Sequence, residues 1–294
     1  MPSPPTLSPR DAEAHLVHLG AAARQTYRWL RLGLLAALVA VVTSGLIEWS
    51  RAPGHCLEGS LSEYYWTPVR PILVGGLMAV ALGLITVRGS TDAEDIALNL
   101  AGLFAPIVAV VPVRPTTGCS SVPEPVVAVQ ASVDNNIRAL LVVAAIVVGG
   151  VALGLVRRRV RTAGSWIGWA LAAGAVAGFG LWTRVAPETI EPAAHYVAAV
   201  GVFGGLVVVV LTNARHTPGT RLTRLYIALA AGMGLAVLLE LVHRALPRFG
   251  WTLLATETSL VGLFATFWIV QTVELWDAGV RPEPRERAQG RSSA

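Results

Sequence analysis

The chain predicts an all-α fold, a polytopic transmembrane bundle of about eight helices with both termini in the cytoplasm. Of its 294 residues 54% are hydrophobic and 14% charged, with a mean hydropathy of +0.59. That is more apolar surface than a soluble domain of this length buries. The apolar residues come in runs of about 17–24, the length that a helix rising about 1.5 Å per residue needs to cross about 30 Å of hydrocarbon. Inside such runs only a helix satisfies its own backbone groups.

The runs place spans at about 29–48, 70–87, 96–112, 138–156, 164–182, 195–212, 225–243 and 252–275. Residues 1–26 are polar, and Ser8-Pro9-Arg10-Asp11 sets a cap, a first-turn proline and an acid three residues after the cap, which predicts a short interfacial helix on the cytoplasmic side. This segment lacks an apolar core ending in a small-residue cleavage site, so the first span reads as an uncleaved anchor. Residues 27–276 form the bundle. Residues 277–294, arginine-rich and proline-containing, read as a disordered cytoplasmic tail. Between spans three and four, Pro112, Pro115, Gly118, Pro123 and Pro125 predict an extended loop over about 113–137. Pro106 inside the third span predicts a kink.

With the N-terminus inside, 16 of the 23 basic residues fall on cytoplasmic segments and 7 outside, the bias that orients membrane proteins. The location expected is the inner (plasma) membrane of a bacterial cell. The net charge of +5 sits at the ends of apolar runs and forms no basic stripe, so nucleic acid is not an expected partner. All 23 basic residues are arginine, which removes Schiff-base and P-loop lysines from consideration. Membrane lipids are the expected partners. Small residues at helical spacing, Gly150/Gly154, Gly174/Gly178 and Gly201/Gly205, allow close helix approach. Chance explains such pairs as well as a homo-oligomer interface does, and the oligomeric state stays open. Trp49, Trp182, Trp251 and Trp276 stand at span ends as an interfacial belt.

Cys56 follows the first span and Cys119 the third, so both lie on the outer side. A disulfide between them would staple the outer loops. Two unrelated free cysteines is the other reading, since spacing alone never proves pairing.

Ionisable groups within spans are costly, and each needs a partner or a purpose. The outer ends collect Glu48, Arg70, Asp134, Arg138, His195, Glu240, His243 and Glu257, with Ser62, Tyr64, Tyr65, Trp66 and Thr67 beside them. His195, Glu257, His243 and Glu240 are residue types that ligate zinc, and Glu240 and His243, three apart, share a helix face. The plainer reading gives Glu240 and His243 to the interface beside Arg244, has His195 capping a helix or hydrogen-bonding near a helix start, and pairs Glu257 with Arg70 or Arg138. Glu257 stands inside the last span, where an unpaired carboxylate is expensive, and His195 and Arg70 are its candidate partners. At the inner side Asp92, Glu94 and Asp95 read as first-turn acids favoured by the helix dipole.

The stretch Ser60-Leu61-Ser62-Glu63-Tyr64-Tyr65-Trp66-Thr67-Pro68-Val69-Arg70, followed by Ile72-Leu73-Val74-Gly75-Gly76-Leu77, resembles the S-x-x-Y-Y-Y-T…R-D-x-F-V-G signature of a group of bacterial multi-pass membrane proteins with no assigned activity. Asn99-Leu100-Ala101-Gly102, His195-Tyr196-Val197-Ala198-Ala199 and Glu257 with Phe267-Trp268 extend the likeness over about residues 30–276. Such proteins are grouped beside DUF998-like proteins and, more distantly, the alkaline ceramidase and progestin/adipoQ-receptor superfamily. That wider relation implies a zinc-dependent lipid amidase. This sequence lacks a His-x-x-x-His in its last span, and Pro71 stands where the signature has aspartate. The resemblance raises Tyr65, Arg70, His195 and Glu257 as one outer ligand-binding site.

The expected function is therefore a membrane protein whose outer-leaflet polar crevice binds a lipid headgroup or small molecule. One alternative is a membrane-embedded metal-dependent hydrolase of lipid amides or esters, which requires His195 and Glu257 to converge with a third ligand on zinc. The other is a small transporter, against which the scarcity of central charges in spans four to seven counts.

Overall fold

The computed structural model describes residues 9–115, 119, 126–157, 162–217, 219–245, 253–279 and 281. Among the described residues the chain forms eight α-helices: α1 (Pro9–Arg51), α2 (Arg70–Thr86), α3 (Asp92–Val110), α4 (Val126–Arg157), α5 (Ala163–Val185), α6 (Ile190–His216), α7 (Thr220–Ala245) and α8 (Leu253–Glu274). Seven are long and apolar enough to cross a membrane, and α2, apolar after Arg70, is shorter at 17 residues. The protein is a multi-pass helical membrane protein. Cys56 and Cys119 form a disulfide, with Cα atoms 5.7 Å apart. The end of the bundle bearing it is the cystine end here, and the opposite one the far end.

Six helices close into a ring in the order α1, α2, α3, α6, α7, α8 and back to α1, while α4 and α5 pair with each other and lean on α3 from outside. The α3–α6 contact is the most extensive, and small residues make it so. A Cβ at Gly201 would lie 2.5 Å from a Phe104 ring carbon, and one at Gly205 would lie 3.0 Å from the Ala97 carbonyl oxygen. Without a hydrophobic drive between helices in lipid, this close approach is what holds them together. Gly205→Leu is expected to destabilise the bundle by about 1–3 kcal/mol, the usual overpacking cost, read as a lower thermal midpoint in detergent. Gly150/Gly154 and Gly174/Gly178, in contrast, meet nothing within 4 Å on α4 and α5.

Three boundaries differ from those expected. The first concerns the N-terminal segment, where α1 is one continuous helix of 43 residues in place of a separate interfacial helix and span. Residues 10–51 hold no proline, and Ala21-Ala22-Ala23-Arg24 propagates helix across the polar boundary. The second is α4, which starts at Val126, within the expected loop. Asp134 and Arg138 consequently lie in the helix as an exposed i,i+4 ion pair at 2.9 Å. The third is the start of the tail, which turns back onto the bundle and buries Arg281. Residues 280 and 282–294, together with Ser8, Gly118, Pro123, Pro125 and Trp251, lie outside the described residues. Pro106 sits inside α3, which runs unbroken through it.

Candidate ligand-binding cavity

The connection from α1 to α2 does not extend into solvent. Leu57 to Val69 folds as a cap over the cystine end, with a short 3-10 turn at Ser62–Trp66 whose five residues are all buried. Each side of the cap is fastened. Toward α8, the Leu61 N–H donates to Glu257 at 2.5 Å and the Leu254 N–H donates to the Gly59 carbonyl at 2.8 Å. Toward the end of α3, the Val113 N–H donates to Ser62 Oγ at 3.0 Å and the Trp66 indole to the Val113 carbonyl at 2.8 Å. His195 of α6 donates from Nδ1 to the Val111 carbonyl at 2.7 Å, with Ser62 Oγ 3.5 Å from the same nitrogen. That bond sets the imidazole tautomer and turns Nε2 away from the backbone. Within the cap, the Glu63 N–H donates to Ser60 Oγ and its carboxylate accepts from the Gly59 N–H. Burial, with the Glu58 carboxylate adding to it, holds the Tyr64 phenol above its ordinary pKa, so it stays a neutral group.

Beneath the cap, inside the six-helix ring, lies a cavity of about 720 Å³. Its walls are apolar, formed by residues such as Leu38, Leu77, Phe203, Val261 and Phe264. Its histidine and carboxylates, His195, Glu240 and Glu257, gather with Ser62 and the tyrosines Tyr64, Tyr65 and Tyr196 at the cystine end, and Thr43 of α1 and Thr258 of α8 add hydroxyls to the walls. Both α1 and α8 line it with residues that are also exposed at the bundle surface: Val39, Val42 and Leu46 on one side, Thr258 and Gly262 on the other. The two helices are tied at the far end, where the Trp268 indole donates to the Arg31 carbonyl at 3.2 Å and Arg28 meets Asp277 at 2.9 Å. Val200 of α6 and Leu241 of α7 are also both lining and exposed, and α1 and α8 contribute the larger share of such residues.

Of the residues singled out in the sequence, Tyr65, His195, Glu257 and Glu240 share this cavity. Arg70 and His243 do not line it. The Arg70 Nε donates to the Tyr65 carbonyl at 2.6 Å and its guanidinium lies 4.6 Å over the Tyr65 ring, so it holds that ring against the wall instead of pairing with Glu257. That acceptor is only five residues away in the chain. Glu240 accepts from the Thr256 hydroxyl at 3.1 Å, which joins α7 to α8. His195 and Glu257 are each held to backbone on opposite edges of the cap. Among the described residues no group of three His, Cys, Asp or Glu side chains is placed to hold a metal ion.

A second polar site, at the far end, goes beyond the expected capping. The Glu94 N–H donates to the Thr91 cap at 3.2 Å, but the Glu94 side chain is buried and its Oε1 accepts from Asn213 at 2.7 Å and Gln271 at 3.0 Å. Gln271 in turn accepts from Arg31 at 2.9 Å. This network joins α1, α3, α6 and α8. Asn213 and Gln271 are single amides within apolar runs, and that was the only signal of it in the sequence.

Comparison with protein-family models, with curated proteins and with solved structures gives no match. The class of the protein accordingly rests on its own geometry: a polytopic helical bundle with a capped, largely apolar cavity.

Proposed function

We propose that this is a lipid-binding protein of the bacterial inner membrane, which draws the hydrocarbon chain of a lipid or similar amphiphile between α1 and α8 and holds its polar end beneath the cap. The observation that carries the reading is the polarity gradient of the cavity, largely apolar along its length with its histidine and carboxylates all at the cystine end. The volume falls within the range of about 300–1,000 Å³ typical of small-molecule sites. The wall of Leu38, Phe203 and Phe264 suits an acyl chain, and Ser62, His195, Glu240 and Glu257 offer donors and acceptors to a headgroup. With the arginine bias directing the far end to the cytoplasm, the headgroup lies at the outer leaflet. Access from the side suits a ligand that already resides in the bilayer.

Ala265 lines the cavity from α8, and Ala265→Trp fills it. Mass spectrometry of the detergent-purified protein is expected to show a stoichiometric co-purifying lipid that drops at least about tenfold in this variant, the loss of more than 1.4 kcal/mol of binding. Equal lipid in both preparations would remove the cavity from the account.

A further inference from the structure

Arg281 lies seven residues beyond the end of α8, outside any helix, yet is only 6% exposed. Its guanidinium donates to Asn213 Oδ1 on α6 and, at 2.5 Å, to Glu274 on α8, while its backbone N–H donates to Ser90 Oγ at 3.1 Å. Glu274 also accepts from the Tyr226 hydroxyl of α7 at 2.5 Å. The acceptors are thus supplied by two different helices, and one planar fork of two terminal N–H groups bridges them, geometry that a guanidinium matches and an ammonium does not.

Charge balance gives the same assignment. The far-end network buries Arg31 and Glu94, linked through Gln271. To these the tail adds Arg281 opposite Glu274, an ion pair with side chains 4% and 13% exposed. Two cations then face two carboxylates. Take Arg281 away and Glu274 is left with the Tyr226 hydroxyl alone, a buried anion short of one cation. The Arg281 Nε itself is buried without a partner, so the fit rests on the terminal nitrogens, which any small alkylguanidinium also carries.

We infer that Asn213, Glu274 and Tyr226 form a guanidinium-binding site at the far end of the bundle, and that Arg281 is its tethered occupant. While seated, it locks α6 to α8 and, through Ser90, to the α2–α3 turn. A guanidinium-bearing molecule competing for the site releases the tail without unfolding the bundle. The site lies at the end opposite the cavity, and its test is independent of lipid binding.

The experiment is chemical rescue. Arg281→Ala is expected to lower the thermal midpoint of the full chain in detergent by about 5–10 °C. Methylguanidinium chloride should restore about half of that loss or more, tetramethylammonium chloride at the same ionic strength should restore none, and the parent should gain from neither. Arg281→Lys, which keeps a charge for Glu274 but not the fork, should fall between parent and Ala and show a smaller rescue. An Ala variant as stable as the parent, equal rescue by both salts, or a Lys variant indistinguishable from the parent each overturns the assignment.

Discussion

Glu94→Ala is expected to cost about 3–5 kcal/mol of stability, the largest effect of any single substitution in the bundle. The Glu94 carboxylate accepts from Asn213, Gln271 and the Ser90 N–H. Removing it takes one acceptor from each of two buried amides, which keep only the Val209 carbonyl and Asn213 Oδ1, and leaves Arg31 and Arg281 facing one carboxylate in place of two. The penalty is that of buried cations left short of an anion, beside two amides each one acceptor poorer. Glu94→Gln keeps one acceptor oxygen and removes the charge, and should cost less than half as much. Thermal unfolding of both variants in one detergent checks the order. If alanine were no worse than glutamine, the acceptor oxygen would not matter and the bonds from Asn213 and Gln271 would contribute nothing.

Loss of the disulfide is expected to have the next largest effect. Cys56 and Cys119 are 63 residues apart, and a cross-link over a loop of that length contributes about 2–4 kcal/mol by restricting the unfolded chain. Cys56 immediately precedes the cap, so Cys56→Ser should also loosen the cover of the cavity. The check is a thermal midpoint with and without reductant. Reductant should lower the parent to the level of the serine variant and leave that variant unchanged. A parent indifferent to reductant would mean that the hydrogen bonds to Glu257, Val113 and His195 hold the cap without the bridge.

Much of the fold was legible because the bilayer imposes a length and a polarity on each helix, and these can be read one segment at a time. Gly201 and Gly205 were visible as a close-approach pair for the same local reason. Where the chain departs from the reading, the cause is a local rule overridden by contacts distant in sequence. Residues 126–137 fell in the expected loop, but Asp134 and Arg138 satisfy each other along the face of α4. Arg281 looked like part of a solvated tail, and its partner Asn213 lies 68 residues away. Glu94 carries every mark of a first-turn acid, and nothing near it in the chain shows that Gln271, 177 residues on, turns toward it. Of the candidate outer site, Tyr65, Arg70, His195 and Glu257, all but Arg70 line the cavity, and Glu240, singled out only as a zinc-ligand type, lines it too; ionisable groups in apolar runs are conspicuous. Their use was not legible, since backbone partners such as Leu61 and Val111 leave no trace in composition.

The central claim, that an acyl chain lies inside the six-helix ring, is tested most directly by photo-crosslinking in the membrane. The probe is a phospholipid carrying a diazirine at the end of one chain, and the adducts are mapped by peptide mass spectrometry. Adducts on deep cavity residues such as Leu38 and Phe264, lost in Ala265→Trp, are the predicted result. Adducts confined to outward faces such as Val147 of α4 and Ile167 of α5 would show that lipid only surrounds the bundle, and would contradict the account.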